Sequence, residues 1–416
     1  MRAALASAGG RVAVWHVPGR VEVLGKHTDY AGGRSLLAAL DRGLVIGMAP
    51  RNDDLVTFFD TSSRARVTFR LDRELVPLRG RWAGYPMTVA RRLARNFPEA
   101  TRGADLALAS DLPSAAGMSS SSALVIATFL ALAEANGLPA TSAWQDHLGT
   151  PEAKAGYLGC IENGQDYGPF AGDRGVGTFG GSQDHTAILC CRAGTLSQYA
   201  FCPVRFEREI AWPGEMALVI AVSGVRARKT GPEQEAFNRL SVATRWILEH
   251  WRLASGSRAA SLAEAAAEPG APAAIAELLE RAADPELPGE FLEGRFRQFV
   301  AESFEIIPAA SDALVRGDLA EFGRQVDRSQ RGAEEGLGNQ VPETIHLARR
   351  ARDLGAHAAS AFGAGFGGSV WAMVAEDAAE GFSREWMDGY ARAFPAAGRR
   401  SLTFRSRPGP AARRLD

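Results

Sequence analysis

Cysteine is scarce in this sequence. Four thiols, Cys160, Cys190, Cys191 and Cys202, are spread through 416 residues. None stands in a C-x-x-C pair, and the adjacent Cys190-Cys191 suits neither a disulfide framework nor a zinc site. Reduced core thiols in a cytosolic protein are the expectation. Net charge is lacking as well: 47 Lys plus Arg against 48 Asp plus Glu leaves −1. That balance gives no electrostatic reason to expect nucleic acid or an anionic membrane as partner. No apolar run approaches the ~20 residues a membrane span needs. The stretch MRAALASAGGRVAVWHVPGR is too short in apolar length for a secretory signal. There is no internal repeat. What is there is a chain 46% hydrophobic, expected to be cytoplasmic and long enough for a large core in two domains.

Residues 11–24, RVAVWHVPGRVEVL, alternate and are β-branched, with a Pro-Gly break. They read as two strands around a turn. LVIGMAP, DLVTFFDT and ARVTFRLD add strand signals, and the succession suggests a mixed or antiparallel sheet. Residues 82–97 have helical spacing with arginines on the outer face. ADLALASDLP reads as a strand leading into LPSAAGMSSSSA at 112–123, and SSALVIATFLALAEANG reads as a buried helix ending at Asn136-Gly137. PEAKAGYLGCIENG is helical. The glycine-dense stretch 164–181 reads as a loop, and AILCC as a short buried strand. A change of character near 206–215 marks a domain boundary, placed at 207/208. MALVIAVSG reads as a strand, the region to about residue 355 as helices, and HAASAFGAGFGGSVWAMV as strand–loop–strand. A helix around 378–394 and a last strand, RSLTFRS, complete an α+β second domain.

The stretch at 112–123 carries the strongest chemical signal. A small-residue loop feeding a buried helix leaves backbone N–H groups aimed off the helix end, where roughly half a positive charge attracts anions. Serine hydroxyls there can bond phosphate oxygens or a magnesium ion. The plain alternative is a serine N-cap on a core helix. Two other motifs are rejected. Gly363-Ala-Gly365-Phe-Gly367-Gly368 fits G-x-G-x-x-G, but SVWAMV after it reads as a strand where a dinucleotide site requires a helix. Gly19 to Gly25-Lys26 has five intervening residues instead of four, and His27 follows where a Walker loop needs Ser or Thr.

PGRVEVLGKHTDYAGG resembles the galactokinase signature, LPSAAGMSSSSA the phosphate loop of the GHMP small-molecule kinases, and AFGAGFGGSVWAMV their glycine-rich third motif. All three occur in the family's order. The resemblance implies an α+β, two-domain GHMP kinase fold. Its N-terminal part (1–207) would be ribosomal-S5-like and its C-terminal part (208–416) ferredoxin-like, with the active site between. It also implies ATP-dependent phosphoryl transfer, which is mostly positioning plus charge stabilisation. Ser114, Ala115, Ala116, Gly117, Met118, Ser119, Ser120 and Ser121 would wrap the triphosphate, and Trp82 would pack on adenine. Ser121 and Glu162 would hold Mg2+. Asp184, in Gly-x-x-Asp, would accept the proton of the sugar's anomeric hydroxyl. Arg20 would face it, keep it ionised and offset charge on the transferred group. Lys26, His27, Asp29, Gly181 and Phe237 would bind sugar. The implied partners are a sugar and ATP, and the chain is expected to be a monomer or weak homodimer.

Four departures bear on specificity. Lys26 stands where the family carries a sugar-touching glutamate, and Phe237 where a tyrosine hydroxyl would contact sugar. The segment from Glu162 to Asp184 is longer than usual, and Asp184 is flanked as Gln-Asp-His. Ala115 replaces a glycine, a milder change. The chemistry residues are kept while specificity residues change. A Lys at the sugar's C6 end suits a carboxylate, so a hexuronic acid such as galacturonate is an expected candidate beside a galactose-like hexose. Two alternatives stay open: a GHMP kinase for another small alcohol, and a catalytically silent sugar or nucleotide sensor on the same fold.

Overall fold

The computed structural model describes residues 12–113, 115–227, 232–282 and 284–416. Alternating apolar stretches build a nine-stranded mixed sheet in the order β13-β1-β2-β5-β3-β4, with β6 and β12 also pairing β2 and β7 pairing β6. Its strands are β1 (Ala13–Leu24), β2 (Arg34–Pro50), β3 (Leu55–Asp60), β4 (Arg66–Arg70), β5 (Ala104–Ser110), β6 (Thr195–Ala200) and β7 (Arg205–Ala211), with β12 (Pro408–Gly409) and β13 (Arg413–Arg414). Only β3 against β5 runs parallel. A second sheet, antiparallel, has the order β11-β8-β10-β9, from β8 (Met216–Val222), β9 (Ala358–Phe362), β10 (Ser369–Ala375) and β11 (Leu402–Ser406). Among the described residues no helix is long and apolar enough to cross a membrane.

Two local expectations are corrected. The Pro18-Gly19 break does not divide two strands. β1 runs through it, paired to β2 on both sides, with register shifts between Pro18 and Arg20 and between Glu22 and Leu24. Proline has no N–H for the ladder, and a bulge absorbs that loss by bending the strand instead of ending it. The stretch containing AILCC is not a strand but the helix Gln183–Cys190. A five-residue apolar run carries no period that separates strand from helix. The expected boundary at 207/208 falls inside β7, which pairs with β6.

The helix Ser120–Ala135 is apolar all round and sits inside the larger core, with Phe129 fully buried and stacked on Trp144 at 5.1 Å. A second apolar cluster joins the sheets. It contains Val21, Val23, Leu112, Ala116 and Met118 from the first sheet's side, with Leu218, Ile220, Phe362 and Trp371 from the second. Burial of this cluster brings β1, the loop before residue 120 and the loop after β9 to one place.

The chain crosses from the first sheet to the second in the short stretch after β7, and returns directly after β11. Both crossings are bonded to one residue: Gly194 N–H donates to Pro408 O at 2.8 Å, and Trp212 N–H donates to Gly194 O at 2.9 Å.

Replacing Phe129 by Ala is predicted to destabilise the fold by about 3–5 kcal/mol through lost burial and a residual cavity. Chemical denaturation of parent and variant checks this; a loss under about 1 kcal/mol would mean the site collapses freely.

Candidate active site

β1 carries the first components. Arg20 and Glu22 lie two apart on one strand and so share a face, and both line a small hollow of about 60 Å3 with His27, Asp29, Gly181 and Asp184. Arg20 is 4% exposed at its side chain. Its Nε donates to Asp184 Oδ1 at 2.7 Å and its Nη1 to the carbonyl of Gly117 at 2.5 Å. Ser122 Oγ donates to the other oxygen of Asp184 at 3.4 Å. Asp184 is the second residue of the helix Gln183–Cys190, where a carboxylate is favoured by the helix dipole.

The loop before residue 120 has an unusual backbone. Ala115, Gly117 and Ser119 all take positive φ, at 53°, 78° and 57°. Ser119 is the N-cap of the helix Ser120–Ala135, yet its side chain makes no capping bond, and its buried Oγ has no hydrogen-bond partner. The plain N-cap alternative is therefore not what this serine does. An uncapped helix end plus an orphaned hydroxyl is a cradle for an anion. The glycine loop after β9 supports it from behind. Ser369 Oγ donates to Ala116 O at 2.6 Å, and a Cβ on Gly363 would stand 2.9 Å from Gly117 O. The residues that follow that loop form β10, as the rejection of a dinucleotide site requires.

Polar side chains line the remaining wall. Asp29 is buried and Gln183 N–H donates to its Oδ2 at 2.9 Å. Burial raises its carboxyl above the usual range, and the neighbouring Asp184 adds to this. Gly181 passes so close that a Cβ there would lie 2.5 Å from Asp29 Oδ2. His27 takes a positive φ of 57°, a strained conformation of the kind held at functional sites. Its Nε2 is 3.0 Å from Ala364 O and its Nδ1 3.0 Å from Tyr30 OH. A carbonyl only accepts, so Nε2 carries the proton in that contact. Phe237 packs on the His27 ring at 5.1 Å. Glu162 is buried, with His185 Nε2 3.2 Å from its Oε1.

Of the residues expected from sequence, the structure gathers Arg20, His27, Asp29, Glu162, Gly181, Asp184 and Phe237 around this hollow. Gly117 joins them through Arg20, and Ala115, Ala116, Met118, Ser119, Ser120 and Ser121 form the adjoining loop and helix start. Ser114 lies outside the described residues. Trp82 is 38% exposed, edge-on to Phe58 at 6.4 Å. Lys26 requires correction. It is 1% exposed, is not part of the hollow, and donates from Nζ to Ser329 Oγ at 3.1 Å. Ser329 in turn donates to Glu302 Oε1 at 2.8 Å. A buried ammonium needs partners, and a helix far along the chain supplies one in Ser329.

Sequence reasoning missed Glu22, Gln183 and Arg295. The period of two from Arg20 was the available signal for Glu22. Arg295 is fully buried, donates to the His27 carbonyl and reaches Tyr30 OH at 3.2 Å; nothing local marks it. A larger hollow of about 460 Å3 lies beyond Gly180 and Gly181, lined in part by Tyr167, Phe179 and Cys202. It lacks Arg20 and Asp184, which line the smaller one.

A two-sheet α+β fold with this loop, arginine and aspartate defines a class, and comparison agrees. The GHMP kinases N terminal domain matches residues 84–149, the GHMP kinases C terminal region 310–391, and the galactokinase galactose-binding signature 5–50. The galactokinase of Chloroflexus aurantiacus is 30% identical over 393 residues, covering 90% of this chain and 87% of the relative. That of Roseiflexus sp. is 28% identical over 378 residues, covering 90% and 86%. Lactococcus lactis galactokinase, solved with galactose, superposes with a TM-score of 0.78 at 22% identity, over 99% of this chain and 98% of that one. Methanococcus jannaschii mevalonate kinase gives 0.56 at 13% identity, over 96% and 99%. The chain belongs to the GHMP kinase family. Within it the likeness is to galactokinases, and the protein is an ATP-dependent sugar kinase of that type.

Two outcomes follow from this geometry. Gly181→Ala is expected to lower kcat/KM for sugar by at least about tenfold, because Asp29 must move; unchanged kinetics with an intact circular dichroism spectrum would contradict the contact. Glu22 sets a pH dependence. Burial raises its carboxyl from 4.5 to about 7, against the lowering effects of Lys26, Arg20 and the Gln183 hydrogen bond. The folded state thus holds this proton more tightly than the unfolded state. The stabilisation is full below pH 4.5 and is lost as pH rises through about 7. Glu22→Gln should therefore gain stability over the parent between pH 5 and 8, by up to about 3 kcal/mol. Denaturant unfolding at both pH values checks it; an equal difference at the two would refute it.

Proposed function

We propose that the protein transfers the γ-phosphoryl group of ATP to the anomeric hydroxyl of a galactose-like hexose. The observation that carries this reading is Arg20, whose guanidinium joins the Asp184 carboxylate to the Gly117 carbonyl of the serine-rich loop. Proton acceptor and phosphate cradle are thereby fixed to one cation. Asp184 takes the proton of the anomeric hydroxyl, and that oxygen forms the bond to the γ-phosphorus. The bond from phosphorus to the β-phosphate oxygen breaks, and ADP leaves with the electron pair. Arg20 offsets charge on the transferred group.

The orphaned Ser119 hydroxyl and the uncapped helix end fit a triphosphate. Ser121 and the buried Glu162 would hold Mg2+, which would supply charge neutralisation to the transferred group. Trp82, half exposed, is assigned to adenine. His27, Asp29, Gly181 and Phe237 are assigned to the sugar. The reading carries with it a cytoplasmic enzyme acting as a monomer or weak homodimer.

A neutral hexose is favoured over a hexuronate. Galacturonate was attractive because of Lys26, but that ammonium is engaged by Ser329. The hollow is lined instead by acidic side chains, Glu22, Asp29 and Asp184 among them, and a further carboxylate there would meet the negative charge of those that are ionised.

Galactose-dependent ATP consumption is expected in the parent and should fall by at least about 10³-fold in Asp184→Asn, which keeps the shape but not the base. Sugar-independent turnover, or full activity in Asp184→Asn, would sink the mechanism. In a substrate panel galactose should exceed galacturonate; the reverse order would revive a cationic sugar contact.

A further inference from the structure

We infer that Glu22 is a specificity-determining residue that receives one ring hydroxyl of the sugar. This rests on the hexose reading above and deepens it. Glu22 is 3% exposed and lines the hollow beside Arg20, Asp29 and Asp184. One of its oxygens, Oε2, accepts from Gln183 Nε2 at 2.6 Å. Gln183 is itself locked. Its Oε1 accepts from Ser35 Oγ at 3.0 Å, and its backbone N–H is given to Asp29. The Glu22 carboxylate is therefore held in one orientation by a rigid partner.

Its other oxygen, Oε1, is buried and has no hydrogen-bond partner among the described residues. A buried acceptor left without a donor is costly, and one that faces a binding hollow is a place for a ligand to supply the donor. The neighbouring cations do not complete it. The hydrogen bonds of Arg20 go to Asp184 and Gly117 and that of Lys26 to Ser329, none of them to Oε1. A phosphate cannot serve, because it offers no proton and repels a carboxylate. The missing donor therefore belongs to the other substrate, and a sugar hydroxyl is the group with the right chemistry.

A site built to bind a hydroxyl rejects the analogue lacking it by far more than one methylene's worth, because its own polar group is then stranded. The test uses galactose and its 2-, 3-, 4- and 6-deoxy analogues, with the parent, Glu22→Gln and Glu22→Ala. One deoxy analogue should lose at least about 30-fold in kcat/KM with the parent, and under about threefold relative to galactose with Glu22→Ala. The other three should keep their parental ratios in the same variant. Glu22→Gln preserves size and should weaken the discrimination partially; thermal melts show which variants are folded. If all four ratios are the same in parent and folded variants, Glu22 only supports the fold and the inference fails, whatever the overall rate. If the parent turns over galactose with no discrimination, the inference fails and the kinase reading stands. If the parent neither turns over galactose nor is stabilised by it, the reading and the inference fall together.

Discussion

A single buried guanidinium holds the reactive centre together. Arg20 must reach a carboxylate on one helix and a carbonyl on the loop before another, from a strand that belongs to neither. Arginine suits this task because its planar fork offers several donors in fixed directions, where a lysine would present one mobile point charge. The cation and Asp184 are each insurance against the other being buried alone, which is a severe cost. The register shift at Pro18 belongs to the same design, since a bulge re-aims the residues that follow it.

The backbone of the serine-rich loop is held from outside. Three residues of the serine-rich loop take left-handed conformations, two of them with a Cβ, which is costly unless surroundings over-determine them. Those surroundings are the glycine loop after β9, the Ser369 hydroxyl, and Ala227, whose N–H donates to Ala115 O at 3.2 Å. The second sheet thus acts as a brace for a site whose reactive groups come from the first. The apolar cluster shared by the two sheets is what presses brace and loop together.

The parts legible in sequence were those with local patterns. The helix from Ser120 was readable from its long apolar run. Arg20 and Asp184 were readable only once three motifs appeared in order. The unreadable parts are non-local. Lys26 was expected beside its neighbours His27 and Asp29, which do line the hollow, but its direction is set by Ser329 and Glu302, some 300 positions away. Arg295 behaves likewise, anchoring the signature loop from a distant helix. Glu22 sat inside the quoted motif and was passed over because strand residues with apolar neighbours look structural. The continuity of β1 through Pro18 was missed for a related reason: local turn chemistry was outvoted by pairing along the whole of β2.

The two crossings between the sheets meet at Gly194, and the returning chain then adds β12 and β13 to the first sheet. Leu415 N–H donates to Val14 O at 2.8 Å, and the Arg414 guanidinium lies 5.7 Å from the centre of the Trp15 ring. The apparent seam after β7 is therefore not a place where the molecule can be parted. A fragment cut there would carry an open edge along β1, with the backbone of Val14 and Trp15 stripped of its partner. The enzyme is interlocked like a clasp, its tail closing over the strand that delivers its arginine.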